Sequence, residues 1–429
     1  VVKLRYTELL VPTEGIYEFV YPTVVGPRYN GDPGPAFAST DPAVWANNPY
    51  QREGELPLYT FNIKAHINAG MPIKKAVCTS HDLQVNFNGP NSATFSMKNG
   101  DVHGGNRDVI IRYGMRGGAV QSGLMLFEGE EENFFLAMME PPARVRPEMI
   151  PAREYVFVVD VSGSMHGFPL DVSKSLMKEL LAGLRPNDRF NVLLFASGSS
   201  VLSATSLPAT QININKAMNL IDNQQGGGGT QLLPALKRAL ALPHEDGTSR
   251  SFVIATDGYV SVESQAFDLI RDNLGEANFF SFGIGSSVNR HLIEGLAKVG
   301  KGEPFVLTNE REAKTNAKKF KKYISSPVLT DIQVKAEGMQ VFDVEPYSVP
   351  DVFADRPVIV FGKYKKNTYG KLTISGVGGN GAYSKQFEAS NALASADNEA
   401  LKFLWARTRI EVLDDYSQLG HSADITQEV

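Results

Sequence analysis

The stretch YVFVVDVSGSM, residues 155–165, decides the fold class. Its first five residues are apolar, and they lead directly into Asp160, Ser162 and Ser164. An apolar run of this length is typical of a strand that is buried on both faces of a parallel sheet. Ligands of open α/β sheets bind at the carboxyl ends of such strands. The stretch therefore predicts a strand of an α/β domain that ends at a ligand site.

Apolar runs of strand length continue to alternate with amphipathic stretches over residues 153–325. The predicted strands are 155–161, 189–195, 251–256, 279–284 and 304–307. Apolar residues at three-and-four spacing predict helices at 170–184, 232–242, 264–274, 288–299 and 310–324. This alternation is typical of βα units around a parallel sheet. We therefore expect a doubly wound, Rossmann-like α/β domain.

Segments of β character lie on both sides of this domain. A hairpin that turns at Pro12–Gly15 is predicted within residues 1–34, and strands separated by Asn-Gly turns are predicted within 55–150. β character resumes at 327–390, and the final segment, 391–429, is helical, with Leu401, Leu404, Trp405 and Ile410 as its packing stripe. We expect 55–150 and 327–390 to be two halves of one antiparallel β-sandwich into which the α/β domain is inserted.

Composition excludes several classes of protein. The 429 residues carry a formal net charge of -5, so no general basic field exists to attract nucleic acid. No stretch approaches the roughly 20 apolar residues of a membrane-spanning helix. The single cysteine, Cys78, excludes an intrachain disulfide and any multi-cysteine metal site, and it leaves the cellular compartment open.

Three segments carry oxygen-bearing side chains to the expected ligand site. Asp160, Ser162 and Ser164 follow the first strand, Thr230 follows four consecutive glycines, and Asp257 follows another apolar strand. Asp-x-Ser-x-Ser alone is weak evidence, because Asp and Ser are common in caps and turns. The three segments together predict a divalent-cation site. Hard oxygen donors with few carboxylates favour Mg²⁺, with Mn²⁺ or Ca²⁺ as alternatives.

Two other functions fit the same residues less well. Ser164 follows a strand, as a hydrolase nucleophile would, but a nucleophile elbow has Gly two residues to either side, where this chain has Ser162 and His166. Gly283 and Gly285 lack the third glycine of a dinucleotide loop. A scaffold that holds a partner without any metal remains open.

The three segments resemble the metal-ion-dependent adhesion site of von Willebrand factor type A domains. Segments 4–10 and 21–29 are similar to the closing portion of a VIT domain, and Ser80-His81 with 106–108 fits the β region that follows it. The combination resembles the inter-alpha-trypsin inhibitor heavy chains. Residues 1–34 would then be the carboxyl-terminal hairpin of a VIT-like domain, and the chain is expected to be truncated at both ends relative to that family.

The resemblance also implies a function. Ser162, Ser164 and, in the ligand-competent state, Thr230 would contact the cation, whereas Asp160 and Asp257 would act largely through water. The cation would capture an acidic side chain of a protein or extracellular-matrix ligand, and no catalysis is implied. Adhesion of this kind favours a secreted, periplasmic or cell-surface protein, with an intracellular location left open.

Overall fold

The computed structural model describes residues 8–10, 12–13, 15–23, 60–98, 105, 107–115, 117–258, 263–300, 302, 304–346, 348–354, 356–365, 370–388 and 394–417. The chain divides into two compact units, Leu10–Met115 and a larger unit of Val1–Leu9 with Arg116–Val429. Residues 24–59 lie outside the described residues, as does most of segments 4–10 and 21–29. Within the described ranges, no helix has the length and apolar character needed to cross a bilayer.

The smaller unit consists of two three-stranded antiparallel sheets. Its strands are β1 (Tyr17–Tyr21), β2 (Lys64–Asn68), β3 (Lys75–Cys78), β4 (Leu83–Phe87), β5 (Ser92–Met97) and β6 (Val109–Gly114). The sheet orders are β1-β6-β3 and β2-β5-β4. The Asn88-Gly89 dipeptide turns the β4–β5 hairpin, and Gly89 has a φ of 110°, which favours glycine.

Strand pairing and compact units in this region are arranged differently from the sequence-based boundaries. Residues 1–34 and 55–150 were expected to belong to different domains, but β1 pairs along its whole length with β6, from Tyr17↔Tyr113 to Tyr21↔Val109. The unit ends at Met115, so 116–150 belongs to the larger unit instead. β1 and β6 pair although about ninety residues of sequence separate them, and no local pattern in the sequence indicates this pairing.

The larger unit begins with two strands, β7 (Gln121–Glu128) and β8 (Asn133–Glu140), and then enters the α/β domain. The strands of this domain are β9 (Ala152–Asp160), β10 (Arg189–Phe195), β11 (Ser199–Val201), β12 (Leu207–Pro208), β13 (Thr248–Thr256), β14 (Asn278–Ile284) and β15 (Phe305–Leu307). Its helices are α1 (Phe168–Leu181), α2 (Gln211–Asp222), α3 (Leu232–Leu240), α4 (Glu263–Asp272), α5 (Arg290–Val299) and α6 (Glu310–Ile324).

The strand order of this sheet is β11-β10-β9-β13-β14-β15, with β12 beside β10. The pairs between β10, β9, β13, β14 and β15 are parallel, and β11 and β12 are antiparallel additions at one edge. β9, the first strand of this domain, lies at the centre, and the chain proceeds outward from it in both directions. This is the order of a doubly wound fold, so the predicted α/β domain is confirmed.

Apolar residues cover both faces of the sheet. Along β9, Phe157 and Val159 enter a core with α1, α2 and α6, whereas Val156 and Val158 enter a second core with α3, α4 and α5. Alternation of side chains along a strand explains this division. Burial on both faces is the reason that these strands are continuous apolar runs in the sequence.

The α/β domain begins and ends at neighbouring points. Arg153, next to the first residue of β9, donates to both carboxylate oxygens of Asp188, with 2.8 Å from Nε to Oδ1. Its Nη1 also donates to the carbonyl oxygen of Ser325, 2.5 Å away, directly after α6. Arg153 and Asp188 are both buried. One guanidinium group therefore connects the entry and the exit of the domain.

The remaining elements follow α6. They are β16 (Pro327–Glu337), β17 (Gln340–Glu345), β18 (Val352–Phe353), β19 (Val358–Lys365), β20 (Lys371–Gly378), β21 (Gly381–Glu388) and α7 (Ala400–Ser417). They form two four-stranded sheets with β7 and β8, in the orders β18-β16-β20-β21 and β17-β19-β8-β7. β8 precedes the α/β domain and pairs with β19, which follows it, from Asn133↔Tyr364 to Met139↔Val358. A shared core lies between the sheets.

Some elements were absent from the sequence-based prediction. α2 was not predicted, although Ile214, Ala217 and Ile221 form its buried stripe. In α7, Leu401 and Leu404 are buried as expected, but Ile410 is 46% exposed and Leu413 takes its place in the core.

The aromatic cluster beneath α6 gives a test of this core. Phe320 is fully buried and meets Phe280, Phe282 and Phe305 edge-on at centroid distances of 5.2, 4.9 and 5.4 Å. Phe320→Ala is expected to lower the free energy of unfolding by about 3–5 kcal/mol, because it leaves a cavity among three rings. Urea denaturation monitored by circular dichroism measures this change.

Phe403→Ala is the matched control, because Phe403 on α7 is 50% exposed. Its effect is expected to stay within about 0.5 kcal/mol. Equal losses in the two variants would contradict the placement of α6 against the sheet.

Candidate metal site

The carboxyl ends of β9 and β13 lie side by side at the centre of the sheet. β9 ends at Asp160 and β13 at Thr256, and the two strands pair in parallel as far as Val159↔Ala255. The chain leaves β9 toward α1 on one face, whereas α3, on the other face, leads into β13. Loops diverge at such a point and leave room for a ligand.

The Asp160 carboxylate is held by hydrogen bonds to both of its oxygens. Oδ1 accepts from the backbone N–H of Ser162 at 2.9 Å, and Oδ2 accepts from Oγ1 of Thr256 at 2.6 Å. The Thr256 hydroxyl in turn accepts from the N–H of Gly258 at 3.0 Å. Asp160 and Thr256 are fully buried. The carboxylate is therefore fixed in position before any ligand binds.

Ser162 and Ser164 place two hydroxyl groups next to each other. Their Oγ atoms are 3.2 Å apart, with Ser162 buried and Ser164 exposed. The backbone between them forms a short 3₁₀ turn at Gly163–Met165, which precedes α1. The pair therefore extends from the buried carboxylate to the protein surface.

The glycine-rich loop is attached to this turn by backbone hydrogen bonds. Gly163 N–H donates to the carbonyl of Gly228, and Gly227 N–H donates to the carbonyl of Val161, both at 2.9 Å. Gly226 has a φ of 78°, and a Cβ at this position would lie 2.9 Å from the Cα of His166. Glycine is therefore required for the close approach of the two loops.

Thr230 lies at the end of this loop and is half-buried. No hydrogen bond joins its side chain to the other four predicted site residues within the described part of the chain. Ser162 thus contacts both Asp160 and Ser164, whereas the structure places Thr230 on a neighbouring loop.

Asp257 follows directly after β13 and is buried. Its backbone carbonyl accepts from the N–H of Asn289 at 3.0 Å, and the Asn289 side chain donates to the carbonyl of Gly258 at 3.0 Å. The same side chain also caps α5 by accepting from Leu292 N–H. The loop that carries Asp257 is therefore anchored to the start of α5.

Electrostatics at this edge favours a bound cation. Burial raises the pKa of Asp160, the negative charge of Asp257 acts in the same direction, and the hydrogen bonds from Ser162 and Thr256 only partly oppose these effects. No Lys, Arg or His of the described ranges forms an ion pair with Asp160. Buried carboxylates are normally paired with a cation or coordinate a metal. A divalent ion would supply the positive charge that the protein itself does not.

The donor set also fits a hard cation. It consists of two carboxylates and three hydroxyls, which suits Mg²⁺ that retains several waters. Among the described residues, no group of three or more His, Cys, Asp or Glu side chains could hold a metal ion, so a site here has to use hydroxyl oxygens. The residues present are therefore compatible with the predicted ion.

Three supporting residues were not identified from the sequence. Thr256 fixes Asp160, Asn289 anchors the Asp257 loop, and Ser197 accepts from the N–H of Gly229 at 2.7 Å. Thr256 directly precedes Asp257 in the sequence. Its hydrogen bond to Asp160 could not be predicted, because the two residues are 96 positions apart. Ser197 and Asn289 lie in loops where polar residues are common, and nothing in the sequence distinguishes them.

The hydrogen bond from Thr256 gives a direct test of this geometry. Thr256→Val keeps the shape of the side chain but leaves Oδ2 of Asp160 without a donor and Gly258 N–H without an acceptor. The expected loss is about 1–3 kcal/mol of unfolding free energy, whereas Thr256→Ser should retain most of it. Denaturation in the presence of a chelator separates this effect from cation binding. Similar stability of the Val and Ser variants would contradict the assigned role.

Comparison with known proteins identifies a domain family within this chain. Residues 153–304 match the family model of the von Willebrand factor type A domain. A von Willebrand factor A domain-containing protein of Dictyostelium discoideum is 26% identical over 234 residues, which cover 54% of this chain and 25% of that protein. The inter-alpha-trypsin inhibitor heavy chain H2 of Sus scrofa is 26% identical over 345 residues, or 75% of this chain and 36% of that protein.

The chain thus spans well under half the length of these relatives. The solved structure of a von Willebrand factor type A protein from Catenulispora acidiphila gives a TM-score of 0.49 at 14% identity, and the match covers 67% of this chain and 76% of that one. Residues 153–304 form a von Willebrand factor type A domain, and 75% of the chain is similar, at 26% identity, to an inter-alpha-trypsin inhibitor heavy chain.

Proposed function

We propose that the α/β domain binds a divalent cation, Mg²⁺ in first place and Mn²⁺ or Ca²⁺ as alternatives, and through it captures a carboxylate of a partner. The ligands and supporting carboxylates are Asp160, Ser162, Ser164, Thr230 and Asp257. The observation that carries this proposal is the buried Asp160 carboxylate, which has no basic partner in the described chain and lies beside the buried Ser162 hydroxyl and, next to it, the exposed Ser164 hydroxyl.

The hydrogen bonds of Asp160 favour an indirect role for this residue. Each of its oxygens already accepts one hydrogen bond, from Ser162 N–H and from Thr256. The hydroxyls of Ser162 and Ser164 are then the natural direct ligands, and Asp160 with Asp257 would hold coordinated water. With both carboxylates held behind water, the ion would have no directly bound carboxylate and would attract an acidic side chain.

The surroundings favour binding of a macromolecule over catalysis. Oγ of Ser164 hydrogen-bonds with Oγ of Ser162, and Nδ1 of His166 donates to the carbonyl of Gln225 at 2.6 Å. Neither residue is arranged as a nucleophile with its base. A cavity of about 110 Å³ that includes Glu154 and Thr248 lies at the opposite ends of the strands. We therefore propose a non-enzymatic role.

The partner and the location follow from the same reasoning. An exposed cation site suits a protein or extracellular-matrix ligand that presents a carboxylate, and not a nucleic acid. The similarity to inter-alpha-trypsin inhibitor heavy chains favours a secreted, periplasmic or cell-surface protein. We also infer that the α/β domain, 153–325, is an insertion in a β-sandwich, which the pairing of β8 with β19 supports.

Calorimetric titration tests the cation site. Mg²⁺ and Mn²⁺ are each titrated into the wild-type chain and the variants. Binding is expected to weaken about 10- to 100-fold in Thr256→Val, because Thr256 orients the Asp160 carboxylate. Asp160→Ala should abolish measurable binding. Asp268→Asn is the matched control, because Asp268 lies on α4 beside Arg271. Unchanged cation binding in folded Asp160→Ala would remove the proposed site.

A peptide array tests the captured group. Each Asp or Glu peptide is paired with its Asn or Gln twin, and retention of the labelled protein is compared in Mg²⁺ and in chelator. Preference for the carboxylate member in Mg²⁺ alone supports capture through the cation. Equal retention in chelator would instead support a scaffold that holds its partner without metal.

A further inference from the structure

A second buried carboxylate joins the α/β domain to the β-sandwich. Asp351 lies directly before β18 and is 7% exposed. Its Oδ2 accepts from Oγ of Ser249 at 2.6 Å and from Nδ2 of Asn278 at 2.8 Å, and its own N–H donates to Oδ1 of Asn278 at 3.1 Å. Ser249 is in β13 and Asn278 begins β14, so one side chain connects two strands of the parallel sheet to the sandwich.

A neighbouring carboxylate makes a parallel connection. Asp331, on β16, accepts from the N–H of Gly247 at 2.7 Å through Oδ2. Its φ of 52° is unusual for a residue other than glycine, and the surrounding contacts hold it there. The hydroxyl of Thr330, the preceding residue, hydrogen-bonds to Asp351. Both carboxylates therefore belong to the sandwich, and both bond to groups at the amino ends of the strands.

The surroundings of Asp351 favour its neutral, protonated form more than water does. Burial raises the pKa of Asp351 to about 6, and the charge of Asp331 acts in the same direction. Hydrogen bonds from Ser249, Asn278 and Thr330 oppose the rise without cancelling it. The groups that contact Asp351 from β13 and β14, Ser249 and Asn278, are neutral. Asp331 is therefore the charged neighbour that affects the pKa of Asp351.

We propose that Asp351 is a pH-responsive clamp between the α/β domain and the β-sandwich, and that the clamp is firmer when this carboxyl group is protonated. When the junction opens, the carboxyl group enters water, where its pKa returns to its ordinary value of 3.8. The closed junction therefore binds the proton more tightly than the open one. By linkage, acid favours the closed state, and this advantage is lost as pH rises from about 4 through about 6.

The size of the effect follows from the two pKa values. The pKa of Asp351 differs by about two units between the closed and the open junction. This difference changes the equilibrium between the two states by about a hundredfold. This clamp is independent of the cation site, because the two lie at opposite ends of the same strands. A failure of the cation proposal would therefore leave it unaffected.

Hydrogen exchange of the junction amides tests the clamp. The N–H of Asp351 and of Gly247 are followed by NMR or mass spectrometry from pH 4.5 to 7.5, with correction for the intrinsic pH dependence of exchange. Opening is expected to become more frequent as pH rises, by tens of fold over this range. Amides of β10, which takes no part in the junction, provide the internal reference.

Two variants isolate the carboxyl group. Asp351→Asn keeps an oxygen acceptor for Ser249 and Asn278 but has no proton to lose, so its protection should not change with pH after correction. Asp331→Asn removes the neighbouring charge and keeps an acceptor for Gly247, so the wild-type transition should move to lower pH. The same pH dependence in wild type and Asp351→Asn, or wild-type protection that increases with pH, would overturn the proposal. If Asp351→Asn does not fold, an unmoved transition in Asp331→Asn overturns it.

Discussion

The position of β9 between β10 and β13 is the constraint on which the rest of the structure depends. Parallel pairing on both sides fixes the register of Asp160 against Phe195 and brings Thr256 within hydrogen-bonding distance. Pairing of this kind is possible only when helices cover both faces, which is why α1 to α6 are needed. The polar groups at the two ends of the strands then lie where water, a ligand or another domain can reach them.

The sequence predicted the parts of the fold that depend on local patterns. Strands buried on both faces are continuous apolar runs, and α6 was predicted with the bounds that the structure shows. α2 was not predicted, because Ile212 and Ile214 alternate with asparagines as in a strand, although Thr210 accepts from Asn213 N–H as a helix cap. The pairing of β1 with β6 could not be predicted, since no local pattern reports a partner that is far away in the sequence.

The same distinction applies to the functional groups. Asp160, Ser162 and Ser164 are close in sequence, so their proximity follows from the turn that contains them. Asp351, Ser249, Asn278 and Thr330 come from four separated segments, and only the packed structure brings them together. The two ends of the parallel strands thus differ in kind: at one end, oxygen donors extend from the buried Asp160 to the exposed Ser164, and at the other the buried Asp351 hydrogen-bonds to Ser249 and Asn278.

The contact of Arg153 with Ser325 has a consequence for how such a protein arises. Since the first and last segments of the α/β domain lie side by side, a fold that carried this domain as an insertion would have to accommodate only a short gap in its own chain, and little chain entropy would be lost in closing it. A domain with adjoining ends can be grafted into a surface loop of an unrelated host without rearranging that host. This geometry makes the α/β domain a portable unit of recombination.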